Sequence, residues 1–262
     1  MIRKNVFIIG LIALISISWS CVSYKKMTYL QALDKVNNSI IPASSGITPI
    51  TPADYKVMPY DILYIRVITP DPQWSSLFNA DLGSAGITQE SAALSGYTVD
   101  VEGFIEIPYV GKIEVAGKTL SEIKTQLDSI FKNYVSDAAI MVRLVNNYVS
   151  VIGEVNLPGR FLLTKDRLSV FEALAMAGDA GDYSNRHRIR IIRPTPNGPV
   201  LREFSLADRS ILLSDMYYVM PNDVIYAIPR RSKSFQVNSS AWTILLTTVT
   251  SALGIIAFFR TL

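Results

Sequence analysis

The chain has 262 residues, of which 49% are hydrophobic and 18% are charged, and its formal net charge at pH 7 is +3. A single histidine and a single cysteine leave little material for a metal centre or a Cys/His nucleophile, so we expect neither a metal nor a cofactor. The charge is too small for the strong basic surface that nucleic acid requires, so nucleic acid is not an expected partner.

The first twenty residues have the pattern of an export signal. Arg3 and Lys4 form a short basic region, and an apolar run of about a dozen residues follows. The only cysteine, Cys21, comes directly after residues 1–20, where a lipoprotein signal peptidase would leave it as the new first residue. A lone cysteine in an exported protein cannot form an internal disulfide, which favours lipidation of Cys21 over an accidental cysteine beside an ordinary cleavage site. Ser18 departs from the usual lipoprotein pattern, which prefers leucine there.

Residues 21–53 have no sustained period and are rich in Pro, Ser and Thr near their end, as expected of a lipid-anchored tether. Residues 54–146 then predict a first domain. A strand is expected at 61–68, a long loop at 71–96, and compact β structure with tight glycine turns at 97–120. Thr119 and Glu122 form a capping box that predicts the start of an amphipathic helix, and a further strand ends the domain.

Residues 147–232 predict a second unit of four or five strands and one helix. Two strands are joined through Pro158 and Gly159, and a helix follows that begins at the Ser169/Glu172 capping box and stops at Gly178. The remaining strands surround a PNGP turn. This order is typical of a small β-grasp domain, although periodicity alone does not distinguish it from other α+β arrangements.

The final segment, 235–262, includes twenty consecutive residues, 240–259, without a charged side chain. A helix of that length rises about 30 Å, the thickness of a bilayer's hydrocarbon core, so an amphipathic transmembrane helix is expected. At 100° per residue one third of its surface carries Ser240, Thr243, Thr247, Thr250, Ser251 and Gly254. The opposite arc carries Trp242, Leu245, Leu246, Val249, Leu253, Ile256 and Phe259. The spacing equally favours hydroxyls facing a wet lumen and small residues packing against another helix.

Two further groups of residues are candidate sites. Strand alternation in NRHRIRIIRP predicts Arg186, Arg188 and Arg190 on one face, either as a solvated surface or as a positive band that meets an acidic partner. Carboxylates near strands, such as Asp61 and Glu106, could in principle serve a glycosidase, but the sequence places no pair at the required separation. The chain contains neither GxSxG nor HExxH, and we therefore expect no enzymatic activity.

Five segments, in order, resemble the outer-membrane polysaccharide export lipoproteins of Gram-negative bacteria. YKVMPYDILYIRV is similar to the family's opening motif, with Tyr60 in place of a glycine, and VDVEGFIEIPYVGKIEVAGKTLSEIKTQL is similar to its most recognisable segment. VIGEVNLPGRFLL, VFEALAMAGDAGD and MPNDVIYAIP resemble the soluble-ligand-binding β-grasp repeat that follows the export domain. The expected fold is therefore α+β, with an export domain, one β-grasp domain and a C-terminal transmembrane helix.

The resemblance implies a lipid-anchored homo-oligomeric ring in the outer membrane, with most of the chain in the periplasm. Its C-terminal helices would form a porin-like barrel through which capsular or exopolysaccharide leaves the cell. It also implies an inner-membrane partner, a polysaccharide co-polymerase or tyrosine kinase, and contact with outer-membrane lipid. In such a ring the band of Arg186, Arg188 and Arg190 would meet acidic polysaccharide or a neighbouring subunit. The alternative from a different class is a periplasmic lipoprotein that binds sugar or scaffolds a secretion complex.

Overall fold

The computed structural model describes residues 28–31, 54–79, 92, 94–135 and 137–261, with the side chains of the last helix described at 231–234 and 243–255. These residues form a mixed α+β fold, as the sequence predicts. The expected signal segment, Cys21 and most of the tether lie outside the described residues. The same holds for the side chains of Ser240, Trp242, Ile256 and Phe259.

The first region combines two small sheets with two helices. Its elements are β1 (Ile62–Ile68), α1 (Pro72–Phe78), β2 (Tyr97–Thr98), β3 (Phe104–Ile107), β4 (Gly111–Glu114), α2 (Leu120–Phe131) and β5 (Ala139–Leu144). β1 is the central strand of an antiparallel sheet in the order β2-β1-β5, and β3 and β4 form a hairpin. One face of each element supplies a common core, in which Leu63, Ile105, Ile123, Leu127 and Phe131 are almost fully buried.

The start of α2 follows the sequence prediction closely. The Thr119 hydroxyl accepts a hydrogen bond from the backbone N–H of Glu122, and the Glu122 carboxylate accepts one from the backbone N–H of Thr119. These reciprocal bonds satisfy N–H groups that a helix start leaves without intrahelical partners. They also lower the pKa of Glu122, because the backbone hydrogen bond favours its ionised form.

The expected long loop at 71–96 is wrong for its first part, where α1 occupies Pro72–Phe78. Asp71 caps this helix by accepting a hydrogen bond from the backbone N–H of Gln73, and Pro72 fits the first turn because its missing N–H is not needed there. Phe78 is buried against Phe131, with ring centroids 5.1 Å apart. Burial of Phe78 against Phe131 therefore stabilises this short helix. The hydrophobic residues of the segment show no helical period, so the sequence did not predict it.

The second region is built on a mixed five-stranded sheet. Its elements are β6 (Tyr148–Gly153), β7 (Gly159–Leu162), β8 (Leu168–Ser169), α3 (Val170–Met176), β9 (Ser184–Arg193), β10 (Val200–Phe204), a 3-10 helix (Arg209–Leu213), β11 (Tyr218–Val219) and β12 (Val224–Pro229). The large sheet has the order β10-β9-β12-β6-β7, and β12 runs parallel to β6. A second core, separate from the first, buries Val151, Leu174, Ile189, Ile191 and Ile225.

The helix of this region also begins and ends where the sequence predicts. Ser169 and Glu172 form the expected reciprocal capping box at the start of α3. Gly178, just beyond the helix, has φ of +70°, a conformation that glycine adopts readily. The segment 28–31 lies against the same region, because the backbone N–H groups of Leu30 and Gln31 donate to the carbonyls of Leu206 and Ala207.

The chain continues from β12 into one long helix, α4 (Arg231–Thr261). The helix expected at 235–262 is thus present over 235–261, and it begins slightly earlier, at Arg231. Within the residues that the structure describes, however, no helix has both the length and the apolar character needed to cross a membrane. The expected transmembrane role of this helix is therefore unsupported by its described part.

Candidate interaction surfaces

The described side chains of α4 between Thr243 and Ile255 all face solvent in the single chain. The exposed apolar residues include Leu245, Leu246, Val249 and Leu253 from the predicted apolar arc, with exposed fractions between 47% and 60%. Ile244 and Ile255 are exposed as well, so apolar surface extends beyond that arc. An isolated helix with this much exposed apolar surface is typical of a segment that packs against a partner or lipid.

The threonine hydroxyls of α4 bond to the helix itself. Thr247 donates to the carbonyl oxygen of Thr243 at 2.8 Å, and Thr250 donates to that of Leu246 at 2.9 Å. Thr248, which lies off the predicted hydroxyl face, donates to Leu245 in the same way. Because these hydroxyl groups already donate to carbonyls of the same helix, the hydroxyl face of α4 can contact either water or another helix without leaving a hydroxyl donor unsatisfied. The described geometry leaves both alternatives of the sequence analysis in place.

The predicted band of three arginines is wrong in one member. Ala227 pairs with Ile189 and Pro229 pairs with Ser184, so two steps along β12 correspond to five along β9. This irregularity breaks the strict alternation that the prediction assumed. Arg186 consequently turns inward and is buried, whereas Arg188 and Arg190 share the outer face.

Arg186 has a structural position inside the second region. Its Nη2 donates to the carbonyl oxygen of Ala180 at 2.8 Å, and its guanidinium lies 5.2 Å from the centre of the Tyr29 ring. The Tyr29 hydroxyl donates to Asp179 at 2.6 Å. Burial and this hydrogen bond to a carboxylate raise the pKa of Tyr29 to about 12. Arg186 therefore helps to hold the segment 28–31 instead of forming part of an external band.

Arg188 and Arg190 both pair with Glu203 on β10. The shortest distances from Glu203 oxygens are 2.7 Å to Arg188 Nε and 3.0 Å to Arg190 Nε. These two guanidinium groups lower the pKa of Glu203 to about 2. Two arginines share one carboxylate, so the group formed by Arg188, Arg190 and Glu203 retains a positive charge.

A pair of matching turns was missed by the sequence analysis. Met58–Asp61 (MPYD) precedes β1 and Met220–Asp223 (MPND) precedes β12. In each turn the methionine N–H donates to the aspartate Oδ2, at 2.8 Å in the first and 2.7 Å in the second. The third residue has positive φ in both, +70° at Tyr60 and +65° at Asn222. The signal was visible in the sequence as the repeated Met-Pro-x-Asp motif.

The two buried aspartates of these turns have different partners. Asp61 accepts hydrogen bonds from the Tyr55 hydroxyl at 2.8 Å and from Asn146 Nδ2 at 2.9 Å. Asp223 forms an ion pair with Arg193, whose Nη2 lies 2.8 Å from Oδ2. Burial raises the pKa of Asp223, while Arg193 opposes that shift. Burial and the adjacent Asp61 carboxylate likewise raise the pKa of Tyr55.

These contacts give the aspartates a structural task. Asp61 and Asp223 are 2% and 0% exposed and organise turns, so neither faces a cleft as a catalytic acid would. Across 28–31 and the described parts of 54–261, no group of three or more potential metal ligands is found.

Comparison with known proteins shows which family the first region resembles. Residues 49–145, which include the first Met-Pro-x-Asp turn, the β3–β4 hairpin and α2, match the family model described as polysaccharide biosynthesis/export protein. Residues 49–145 of this chain are therefore similar to that family. The resemblance inferred from the sequence is thereby confirmed.

Three relatives extend the match beyond the first domain. The EPS I polysaccharide export outer membrane protein EpsA of Ralstonia nicotianae is 29% identical over 81% of this chain and 65% of its own length. The capsule polysaccharide export outer membrane protein CtrA of Neisseria meningitidis is 30% identical over 56% and 38% of the two chains. The exopolysaccharide production protein ExoF of Rhizobium meliloti is 27% identical over 65% and 38%. This chain thus spans less than two thirds of each of these relatives.

Proposed function

We propose that this protein is a subunit of an outer-membrane assembly that exports capsular polysaccharide or exopolysaccharide. The observation that carries the proposal is the export domain at 49–145, together with relatives that are named for export of these polymers at the outer membrane. Those names also support the outer-membrane location expected from the sequence. The protein's partner in this role is the polysaccharide chain, and its work is conduction and not catalysis.

The finer proposal is that copies of this chain form a closed ring around an axial passage. Exposed apolar side chains on α4, from Ile244 to Ile255, support association of neighbouring helices. Closed cyclic symmetry is the natural way for identical subunits to surround a passage. The hydroxyl face, represented by Thr243, Thr247 and Thr250, then lines the passage and offers a hydrated sugar chain weak, uncharged contacts.

The proposal also includes a lipid anchor, a β-grasp domain and an inner-membrane partner. A lipid on Cys21 holds the chain at the outer membrane. The second region is a β-grasp domain, and the packing of α3 on its mixed sheet supports this assignment. An inner-membrane polysaccharide co-polymerase or tyrosine kinase delivers the polymer to the periplasmic side of the assembly.

The proposal is tested by comparing the full chain with a variant that ends at Arg230. Detergent-extracted full-length protein should appear in electron micrographs as rings with an axial opening, and a gene deletion should abolish surface polysaccharide. The truncated protein should lose the rings and fail to restore export. A matched control ends after Ile255 and keeps the described part of α4, which separates the helix from the final residues.

The opposite result favours the alternative function. If both forms are monomers or dimers and the truncated form still supports export, the chain is a sugar-binding or scaffolding lipoprotein of the secretion complex. The hydroxyl face of α4 is then a packing surface for another protein. A Cys21→Ser variant tests the anchor separately, since unchanged lipid labelling and unchanged membrane fractionation would contradict lipidation at this residue.

A further inference from the structure

Two tyrosines of the first domain combine an unfavourable backbone with an exposed side chain. Tyr60 has φ of +70° and Tyr109 has φ of +67°, and each side chain is 70% exposed. Left-handed backbone is uncommon for bulky residues and costs free energy that glycine or asparagine largely avoids. Strain of this kind persists where a side chain is needed, and an observed outlier is a reason to ask what that side chain does.

The second Met-Pro-x-Asp turn shows that the turn itself does not need a tyrosine. Asn222 occupies the position that corresponds to Tyr60, with nearly the same φ and the same hydrogen bond within the turn. Asparagine is well suited to left-handed backbone because of its short polar side chain. The ring at Tyr60 is therefore not explained by the turn, and its exposure points to a contact outside the single chain.

Tyr109 stands beside a supported group of aromatic rings. Phe78 is buried, and its ring lies edge to face with those of Tyr109 and Tyr134, at 6.4 Å from each. Trp74 stacks on Phe78 with ring centroids 5.9 Å apart. Tyr134 is 42% exposed, so a rigid buried ring supports aromatic surface that remains open to solvent.

We propose that Tyr60 and Tyr109 are sugar-contacting residues that stack on rings of the exported polysaccharide. A sugar ring presents an apolar C–H face and a hydroxyl edge, and tyrosine matches it with an aromatic face and a polar tip. The two tyrosines lie on separate turns. The backbone N–H of Tyr60 donates to the carbonyl of Val99, and Tyr109 lies at the tip of the β3–β4 hairpin. Exposed rings on two separate turns suit a sliding polymer, whereas a protein interface usually has one contiguous apolar core. This inference rests on the proposed function.

The contact is tested by photocrosslinking in the strain that makes the polymer. Benzoylphenylalanine replaces Tyr60 or Tyr109 in the full-length chain, and Leu157, which is 64% exposed on the second region, serves as the control position. Illumination should give heterogeneous, polymer-sized adducts at the two tyrosine positions, which disappear in a strain unable to synthesise the polysaccharide. A discrete adduct that persists in that strain would identify a protein partner and overturn the proposal, as would equal labelling at Leu157.

A second measurement separates binding from folding. Tyr60→Asn gives the first turn the residue of the second turn, so its thermal unfolding midpoint should stay the same or rise. Its binding to polysaccharide purified from the producing strain, measured by affinity electrophoresis, should weaken about three- to tenfold, as expected for one aromatic stacking contact. Tyr109→Asn should weaken binding to a similar extent. Full binding and full export by both variants would overturn the inference.

The two proposals can fail separately. If deletion of the gene leaves surface polysaccharide unchanged, the proposed export function fails. If deletion abolishes export while both asparagine variants export and bind normally, only the role of the tyrosines fails.

Discussion

The turn before β1 and the turn before β12 share their backbone hydrogen bonds but stabilise a buried aspartate by different means. In the first turn Asp61 is surrounded by the neutral donors Tyr55 and Asn146, whereas in the second turn Asp223 meets the guanidinium of Arg193. Hydrogen-bond geometry alone therefore suffices to fold this turn. The ion pair with Arg193 is an additional feature of the second turn. Removing Arg193 should therefore lower the free energy of unfolding more than removing a neutral donor of Asp61 does.

The largest effect is expected when the charged partner is removed from the second turn. Arg193→Met leaves Asp223 buried without its counter-charge, which should lower the free energy of unfolding by about 3–5 kcal/mol. Urea denaturation measures this difference. The control Arg188→Met removes an exposed, solvent-screened arginine and should change the free energy of unfolding far less. Equal losses for the two variants would contradict the distinction between buried and exposed pairs.

A smaller effect is expected when a neutral donor is removed from the first turn. Tyr55→Phe deletes the hydroxyl that donates to Asp61 and should lower the free energy of unfolding by about 1 kcal/mol. The Met58 and Asn146 donors remain, so the carboxylate keeps part of its solvation. Tyr60→Phe, which removes an exposed hydroxyl, is the control and should leave the urea midpoint unchanged. A loss as large as that of Arg193→Met would show that Asp61 depends on this single donor.

Exchanging the third residues of the turns tests the cost of the left-handed tyrosine. Asn222→Tyr should lower the free energy of unfolding by about 1 kcal/mol, because it places a bulky side chain at φ of +65°. Tyr60→Asn should change it by less, and in the stabilising direction. Thermal denaturation of both variants checks the opposite signs. Stabilisation by Asn222→Tyr would show that the ring is favourable within the turn itself.

The smallest effect concerns the exposed pairs on β9 and β10 and appears as a pH dependence. The pKa of Glu203 falls from 4.5 to about 2 on folding, so its ionised form stabilises the folded chain above pH 4.5. That contribution is lost as the pH decreases toward 2. The wild-type protein should therefore exceed Glu203→Gln in stability at pH 6, and the difference should disappear near pH 2. Glu102→Gln is the control, because Glu102 approaches Lys112 only to 4.0 Å on the surface.

Local sequence patterns predicted those features that depend on a few neighbouring residues. The capping boxes at Thr119 and Ser169 and the helix stop at Gly178 are present because their hydrogen bonds and backbone angles involve residues within one turn. The start of α1 carried an equally local signal in Asp71 and Pro72, but the surrounding segment has no helical period, and the helix depends on burial of Phe78. That burial requires Phe131, which lies far along the chain.

Strand faces were predictable only where pairing stays regular. Alternation fails at Arg186 because the register between β9 and β12 shifts, and a register is a property of two strands and not of one. The prediction consequently placed on the surface an arginine that is buried. The role of the outer pair, Arg188 and Arg190, stays a prediction.

By itself, the sequence determined the α+β composition, the starts of α2 and α3, the main strands along the chain and the resemblance to polysaccharide export proteins. Each of these depends on short-range periodicity or on motifs read in order. Only the tertiary structure decided that Asp61 and Asp223 are buried in equivalent turns, that Arg186 points inward, and that Tyr60 and Tyr109 protrude. Burial and exposure depend on which distant segments pack together. The residues adjacent in the sequence do not specify which distant segments pack against a given side chain.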